Sequence, residues 1–112
     1  MHESLKKGEI VGTGFTDTLS DGTAGDMEPN SITFDLCRAC VDRSITVPEE
    51  DIYSSVKLAH KELGIKIEGA AGVAVAGWLF EKEKVKDKEV AVIICGGNIA
   101  DEKFNKIIGV EN

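Results

Sequence analysis

The chain has 112 residues, enough for one domain around a single core and too few for two. Hydrophobic residues make up 42% and charged residues 29%, with 12 Gly against 2 Pro, which is a folded composition rather than a disordered or collagen-like one. Thirteen Lys and Arg against 20 Asp and Glu leave a net charge of −7, so the field repels nucleic acid backbones and anionic membranes, and neither is expected as a partner.

Residues 1–30 hold five of the glycines (Gly8, Gly12, Gly14, Gly22 and Gly25) and close on Pro29-Asn30, which reads as loop with at most a short strand near 16–20. The opening Met1-His2-Glu3-Ser4-Leu5-Lys6-Lys7 has an acid and no apolar run after its basic pair, unlike a secretory signal. From Ser31 the apolar residues Ile32, Phe34, Leu36, Cys37, Cys40 and Val41 fall at three- and four-residue spacings, predicting a helix over about 31–41 with Asn30 or Ser31 as its cap. Ser44-Ile45-Thr46-Val47 is short, β-branched and stopped by Pro48, which suits a strand. A helix then starts at Pro48: Glu49, Glu50 and Asp51 complement its positive end, Ile52, Val56, Ala59 and Leu63 recur at helical spacing, and Gly64 ends it.

After the connector Ile65–Glu68, the stretch Gly69–Phe80 carries no charge over twelve residues, too few to span a bilayer. It reads instead as a helix without a polar face, buried all round, whose Gly69, Gly72 and Gly77 make sense where another backbone or a ligand comes close. Residues 81–88 form a charged link. Val90-Ala91-Val92-Ile93-Ile94 is a continuous apolar run of the kind found in a parallel strand covered on both faces, Cys95-Gly96-Gly97-Asn98 turns the chain, and a last helix is expected over about 101–108 with Asp101 as cap and Phe104, Ile107 and Ile108 inside. The predicted class is α/β: one domain over residues 1–112, a small and mostly parallel sheet flanked by about four helices.

Several short patterns carry more than one reading. Cys95-Gly96-Gly97-Asn98 follows an apolar strand and precedes a helix, the place where open α/β sheets bind ligands, yet the same residues also make an ordinary tight turn. Glu68 precedes the apolar helix and is either a functional carboxylate or a complement to the helix N-terminus. Asp21-Gly22-Thr23-Ala24-Gly25-Asp26 lacks the spaced oxygens and distal Glu of a calcium loop, and no metal site is expected. Cys37-Arg38-Ala39-Cys40 has dithiol spacing, but no strand leads into it and no second ligand pair exists for zinc, so both cysteines are expected as buried structural thiols, with a dithiol redox protein as the outside reading. Cys37, Cys40 and Cys95 are an odd number, which fits free thiols in a reducing cytoplasm better than a disulfide framework. His2 and His60 have no visible Ser or Cys partner for a hydrolase triad.

Taken in order, the blocks Thr18-Leu19-Ser20-Asp21-Gly22-Thr23-Ala24, Ile32-Thr33-Phe34, Val41-Asp42, Thr46-Val47-Pro48-Glu49-Glu50-Asp51-Ile52, Ile67-Glu68-Gly69-Ala70-Ala71-Gly72-Val73-Ala74 and Val92-Ile93-Ile94-Cys95-Gly96-Gly97-Asn98-Ile99 resemble the C-terminal third of the pyridoxal-phosphate dependent serine/threonine dehydratases, a fold type II family that includes threonine deaminase, serine dehydratase and serine racemase. The resemblance runs over about residues 18–108, leaving 1–17 as loop. It implies that the thiol of Cys95, in the turn with Gly96, Gly97 and Asn98, faces the pyridine nitrogen of the cofactor. It also implies that the backbone at Gly22 closes on the cofactor and that Glu68 lies at its edge, positioning ring or substrate.

The sequence lacks the Phe-Lys-x-Arg-Gly-Ala segment that carries the family's cofactor-linking lysine, the Ser-x-Gly-Asn substrate loop and the glycine run for the phosphate, and Ala100 stands where an acid often follows. No catalytic residue is therefore assigned within the chain, and the isolated chain is not expected to bind pyridoxal phosphate. The resemblance leaves two expectations: part of a split or truncated dehydratase completed by a lysine-bearing N-terminal fragment, or a non-catalytic remnant that forms a homo-oligomer through apolar surface.

Overall fold

The computed structural model describes residues 1–14 and 16–110. Its helices are α1 (His2–Lys7), α2 (Ile32–Cys40), α3 (Glu49–Leu63), α4 (Gly69–Glu81) and α5 (Asp101–Ile108), with short 3-10 turns at Asp21–Thr23 and Lys82–Lys84. The chain divides into two compact units, one of Met1–Asp17 with Ala24–Thr46, the other of Thr18–Thr23 with the chain from Val47 onward.

In the first unit α1 forms where the glycine content predicts loop. Acidic Glu3 stands in its first turn, Lys6 and Lys7 in its last, and Gly8 closes it in the left-handed conformation at φ 79°. The buried Ser4 hydroxyl accepts the Val11 N–H at 3.1 Å, His2 Nδ1 meets Ser44 Oγ at 2.9 Å, and Asp26 Oδ1 accepts the Thr13 N–H at 2.9 Å, so polar contacts organise this unit. Phe34 is the buried residue of α2, with Arg38 stacked 5.6 Å from its ring centre. Cys37 is partly exposed and Cys40 exposed, which corrects the expectation of two buried thiols: Phe34 alone takes the inner face, and Cys40, in the last turn, faces away from it.

The second unit is built on α3 against α4. Pro48 caps α3 in extended conformation, three acids occupy its first turn, and Gly64 ends it at φ 67°. Ile52, Val56 and Ala59 supply the buried stripe and join Leu19, Ile67, Ala71, Ile99, Phe104 and Ile107 in one cluster. The close approach of α4 is made at Gly72, where a Cβ would come within 2.9 Å of Val56 Cγ2 and 3.2 Å of the Ile52 carbonyl oxygen. Only Gly69, Ala71, Gly72 and Ala76 of α4 are buried, whereas Trp78 and Phe80 are 40% and 63% exposed, so the helix is not covered all round within this chain.

The α/β class is overturned: among the described residues there is no strand and no sheet. A strand exists only where a second extended segment about 4.8 Å away takes up its N–H and C=O groups. Among the described residues no backbone hydrogen bond between non-helical segments reaches residues 44–47 or 89–95, and these two stretches fall largely in different units. Val90–Ile94 therefore forms no strand among the described residues, and Ile93 is 71% exposed. No helix is long and apolar enough to cross a membrane among the described residues.

Candidate functional site

Glu68 is the residue around which the second unit brings its candidate positions together. It caps α4 with extended backbone, φ −86° and ψ 172°, and its carbonyl accepts the Gly72 N–H at 3.0 Å, starting the helix. Its carboxylate does not cap that helix. Oε2 accepts the Asn98 N–H at 2.9 Å, while the Glu68 N–H donates to the Gly96 carbonyl at 3.1 Å, so the turn after the extended segment is held at both ends by one residue.

The two glycines of that turn sit against close neighbours, a side-chain carboxylate at Gly96 and a main-chain carbonyl at Gly97. A Cβ at Gly96 would lie 2.6 Å from Glu68 Cδ, and one at Gly97 would lie 2.8 Å from the Lys66 carbonyl oxygen. Gly22, in the Asp21–Thr23 turn, faces the same carboxylate across an ordinary gap, its Cβ position 4.0 Å from Glu68 Oε1 and from Ala70 Cβ. That second turn is itself tied down: Asp21 Oδ1 accepts the Gly22 N–H at 2.9 Å, the Thr23 N–H donates to Ser20 at 3.0 Å, and Glu49 accepts both the Leu19 N–H and, at 2.7 Å, the Thr18 hydroxyl. Gly69 packs directly on the Leu19–Ser20 backbone, with room for no side chain.

Gly22, Glu68, Gly96, Gly97 and Asn98 thus share one locus, and Cys95 enters it as an exposed free thiol just before the first glycine. Cys37 and Cys40 belong to the other unit, as does His2; His60 packs edge-on against Phe104 at 5.3 Å in the core. No group of three or more metal-ligating side chains occurs among the described residues. Sequence reasoning missed Glu49, taken only as a helix-dipole complement, and Lys66, whose ammonium lies 2.5 Å from Asp101 and 5.7 Å from the Phe104 ring centre. That hydrogen bond, with the attraction of the ammonium, holds the Asp101 carboxyl below the ordinary aspartate range. Neither contact has a local signal, because the partners are 30 and 35 residues apart.

The donor set fits the rim of a flat heteroaromatic group: two turns offering backbone rather than side chains, with an exposed thiol, a weak hydrogen-bonding group, at the start of one of them. Of the two lysines near it, Lys66 pairs with Asp101 at 2.5 Å, and Lys103 lies 3.8 Å from Asp21, the residue before Gly22.

Residues 1–96 match the sequence profile of the family described as pyridoxal-phosphate dependent enzyme. The chain is 36% identical over 108 residues to the L-threonine ammonia-lyase of Thermotoga maritima, covering 96% of this chain and 26% of that protein. It is 31% identical over 111 residues to the catabolic L-threonine dehydratase of Escherichia coli, covering 97% and 33%. Its backbone superposes on the crystal structure of serine racemase from Dictyostelium discoideum with a TM-score of 0.76 at 32% identity, over 88% of this chain and 31% of that one. The chain spans about a quarter to a third of the length of these relatives.

Proposed function

The chain belongs to the family of pyridoxal-phosphate dependent enzymes, and from that premise we propose that it supplies the ring-edge part of a threonine or serine dehydratase site, completed by a lysine-bearing segment outside these 112 residues. The completed site would convert L-threonine to 2-oxobutanoate and ammonia, or L-serine to pyruvate and ammonia. Pyridoxal phosphate supplies, when bound, the electron withdrawal that makes the α-proton of an amino acid labile. This chain's residues would orient it: the Cys95 thiol would stand as a weak hydrogen-bonding partner for the pyridine nitrogen. The side-chain-free turns at Gly22 and Gly96–Gly97 admit the ring edge, and Glu68 fixes the Cys95 turn in place. The base for the α-proton would be the lysine of the segment outside the chain.

The observation that carries this reading is the convergence of Gly22 and the Gly96–Asn98 turn on one carboxylate, from segments more than forty residues apart. Titration of the isolated chain with pyridoxal phosphate, then borohydride reduction and intact mass, is expected to give no stoichiometric lysine adduct. Adding the portion of the Thermotoga maritima enzyme that this chain does not match is expected to restore a saturable cofactor absorbance and 2-oxobutanoate production. A single stoichiometric adduct on the isolated chain would overturn the proposal.

A second reading, a non-catalytic homo-oligomer, is favoured by one observation. Leu58, Val75, Trp78, Val90, Val92 and Ile94 line an apolar groove of about 680 Å³ that opens to solvent. Sedimentation of the chain as a monomer at tens of micromolar would exclude it.

A further inference from the structure

A second cleft, of about 480 Å³, lies between α3 and α5 and is lined by Tyr53, Ser54, Lys57, Lys103, Lys106 and Ile107. Half of that lining is lysine and none of it carboxylate, in a chain whose net charge is −7. Helical spacing makes the arrangement deliberate in geometry: Tyr53 and Lys57 stand four apart on α3, and Lys103 and Lys106 three apart on α5, so each pair shares one face. Like charges brought together in this way repel, and a protein with 20 acidic residues has ample means to neutralise them. It does so weakly at one position, where Lys103 Nζ lies 3.8 Å from Asp21. Lys57 and Lys106 have no ion-pair partner among the described residues.

The neutral groups complete the surface. The Ser54 hydroxyl donates to the Glu50 carbonyl at 2.9 Å and so offers an oxygen, not a proton, to the cleft, whereas the Tyr53 hydroxyl is uncommitted and Ile107, buried, forms the floor. Three ammonium groups on flexible stems are point charges with rotatable donors, suited to an anion with several oxygens rather than to one planar carboxylate.

We propose that this α3–α5 cleft is a binding site for a small phosphate-bearing anion, a diphosphate or phosphomonoester, held by Lys57, Lys103 and Lys106. The site is separate from the Glu68 locus in its residues and does not rest on the cofactor reading. Its volume exceeds that of a single phosphate, which leaves room for a second phosphoryl group or a small organic part over Tyr53. Occupation would compete with Asp21 for Lys103 and so bear on the turn that carries Gly22.

The test is calorimetric titration of the 112-residue chain with inorganic pyrophosphate, in cofactor-free buffer at constant ionic strength. One saturable site is expected, weakened about tenfold by Lys57→Gln and by Lys106→Gln, each removing one charge-assisted contact. Lys57→Arg, which keeps the charge, is expected to retain binding, and Lys61→Gln and Lys86→Gln, outside the cleft, to leave it unchanged; far-UV circular dichroism checks that each variant is folded. Absence of saturation up to about 10 mM would overturn the proposal. So would equal weakening by Lys61→Gln and Lys86→Gln, which would mean general charge attraction.

Discussion

Two apolar regions of the second unit meet opposite fates. Around Gly72 the α3–α4 contact is closed so tightly that one methyl group would strike Val56, and Ile67, Val56 and Ala71 are 1% exposed or less. The run Val90–Ile94 is just as apolar, yet Val90, Ile93 and Ile94 are 45%, 71% and 42% exposed and its backbone is unpaired. A helix satisfies its own backbone and needs only one packed face; an extended segment needs neighbours for backbone and side chains alike. The same hydrophobicity therefore makes a core in one place and an open surface in the other.

The sharpest way to break the contrast is Ile67→Ala. Removal of a buried side chain from the closed region is expected to cost about 2–5 kcal/mol, measured by urea denaturation. Next comes Gly96→Ala, which drives a methyl group into the Glu68 carboxylate and is expected to cost about 1–3 kcal/mol. Combining it with Glu68→Ser is expected to recover part of that loss, and a double-mutant cycle reads the coupling. On the open side, Ile93→Ser is expected to shift stability by no more than about 0.5 kcal/mol while lowering any self-association seen in sedimentation.

The smallest effect concerns Asp101. Lys66 lowers its pKa in the folded chain, so its contribution is present above the ordinary aspartate value and is lost as pH falls through the lower folded value. Asp101→Asn is expected to reduce the urea midpoint slightly at neutral pH, with the difference from the parent vanishing at acid pH and shrinking in salt, since the carboxylate is exposed.

The same contrast explains what could be read from the sequence. The bounds of α3 follow from Pro48, three acids and Gly64, all local signals. The close approach at Gly72 was legible because glycine in a helix interior has a cost that only packing offsets. Val90–Ile94 and Ser44–Val47 carry strand composition, but composition is silent on whether a partner strand exists within reach. Of the site, the glycines and Glu68 stood out by type. That Glu68 reaches forward to the Asn98 N–H, and that Glu49 grips Leu19 and Thr18, depends on how the chain folds back, which no nearby residue records.

Glu68 holds position 98 by its main-chain N–H and not by its side chain. The register of the turn is thus indifferent to which amino acid other than proline stands there, whereas position 97 is closed by the Lys66 carbonyl and a side chain at 96 has to displace the Glu68 carboxylate. If residues 95–98 were randomised and folded chains selected, the survivors would keep glycine at 97, favour it at 96, and let 98 drift among all residues but proline. Position 95, with an exposed side chain, would record only what the completed site demands of it.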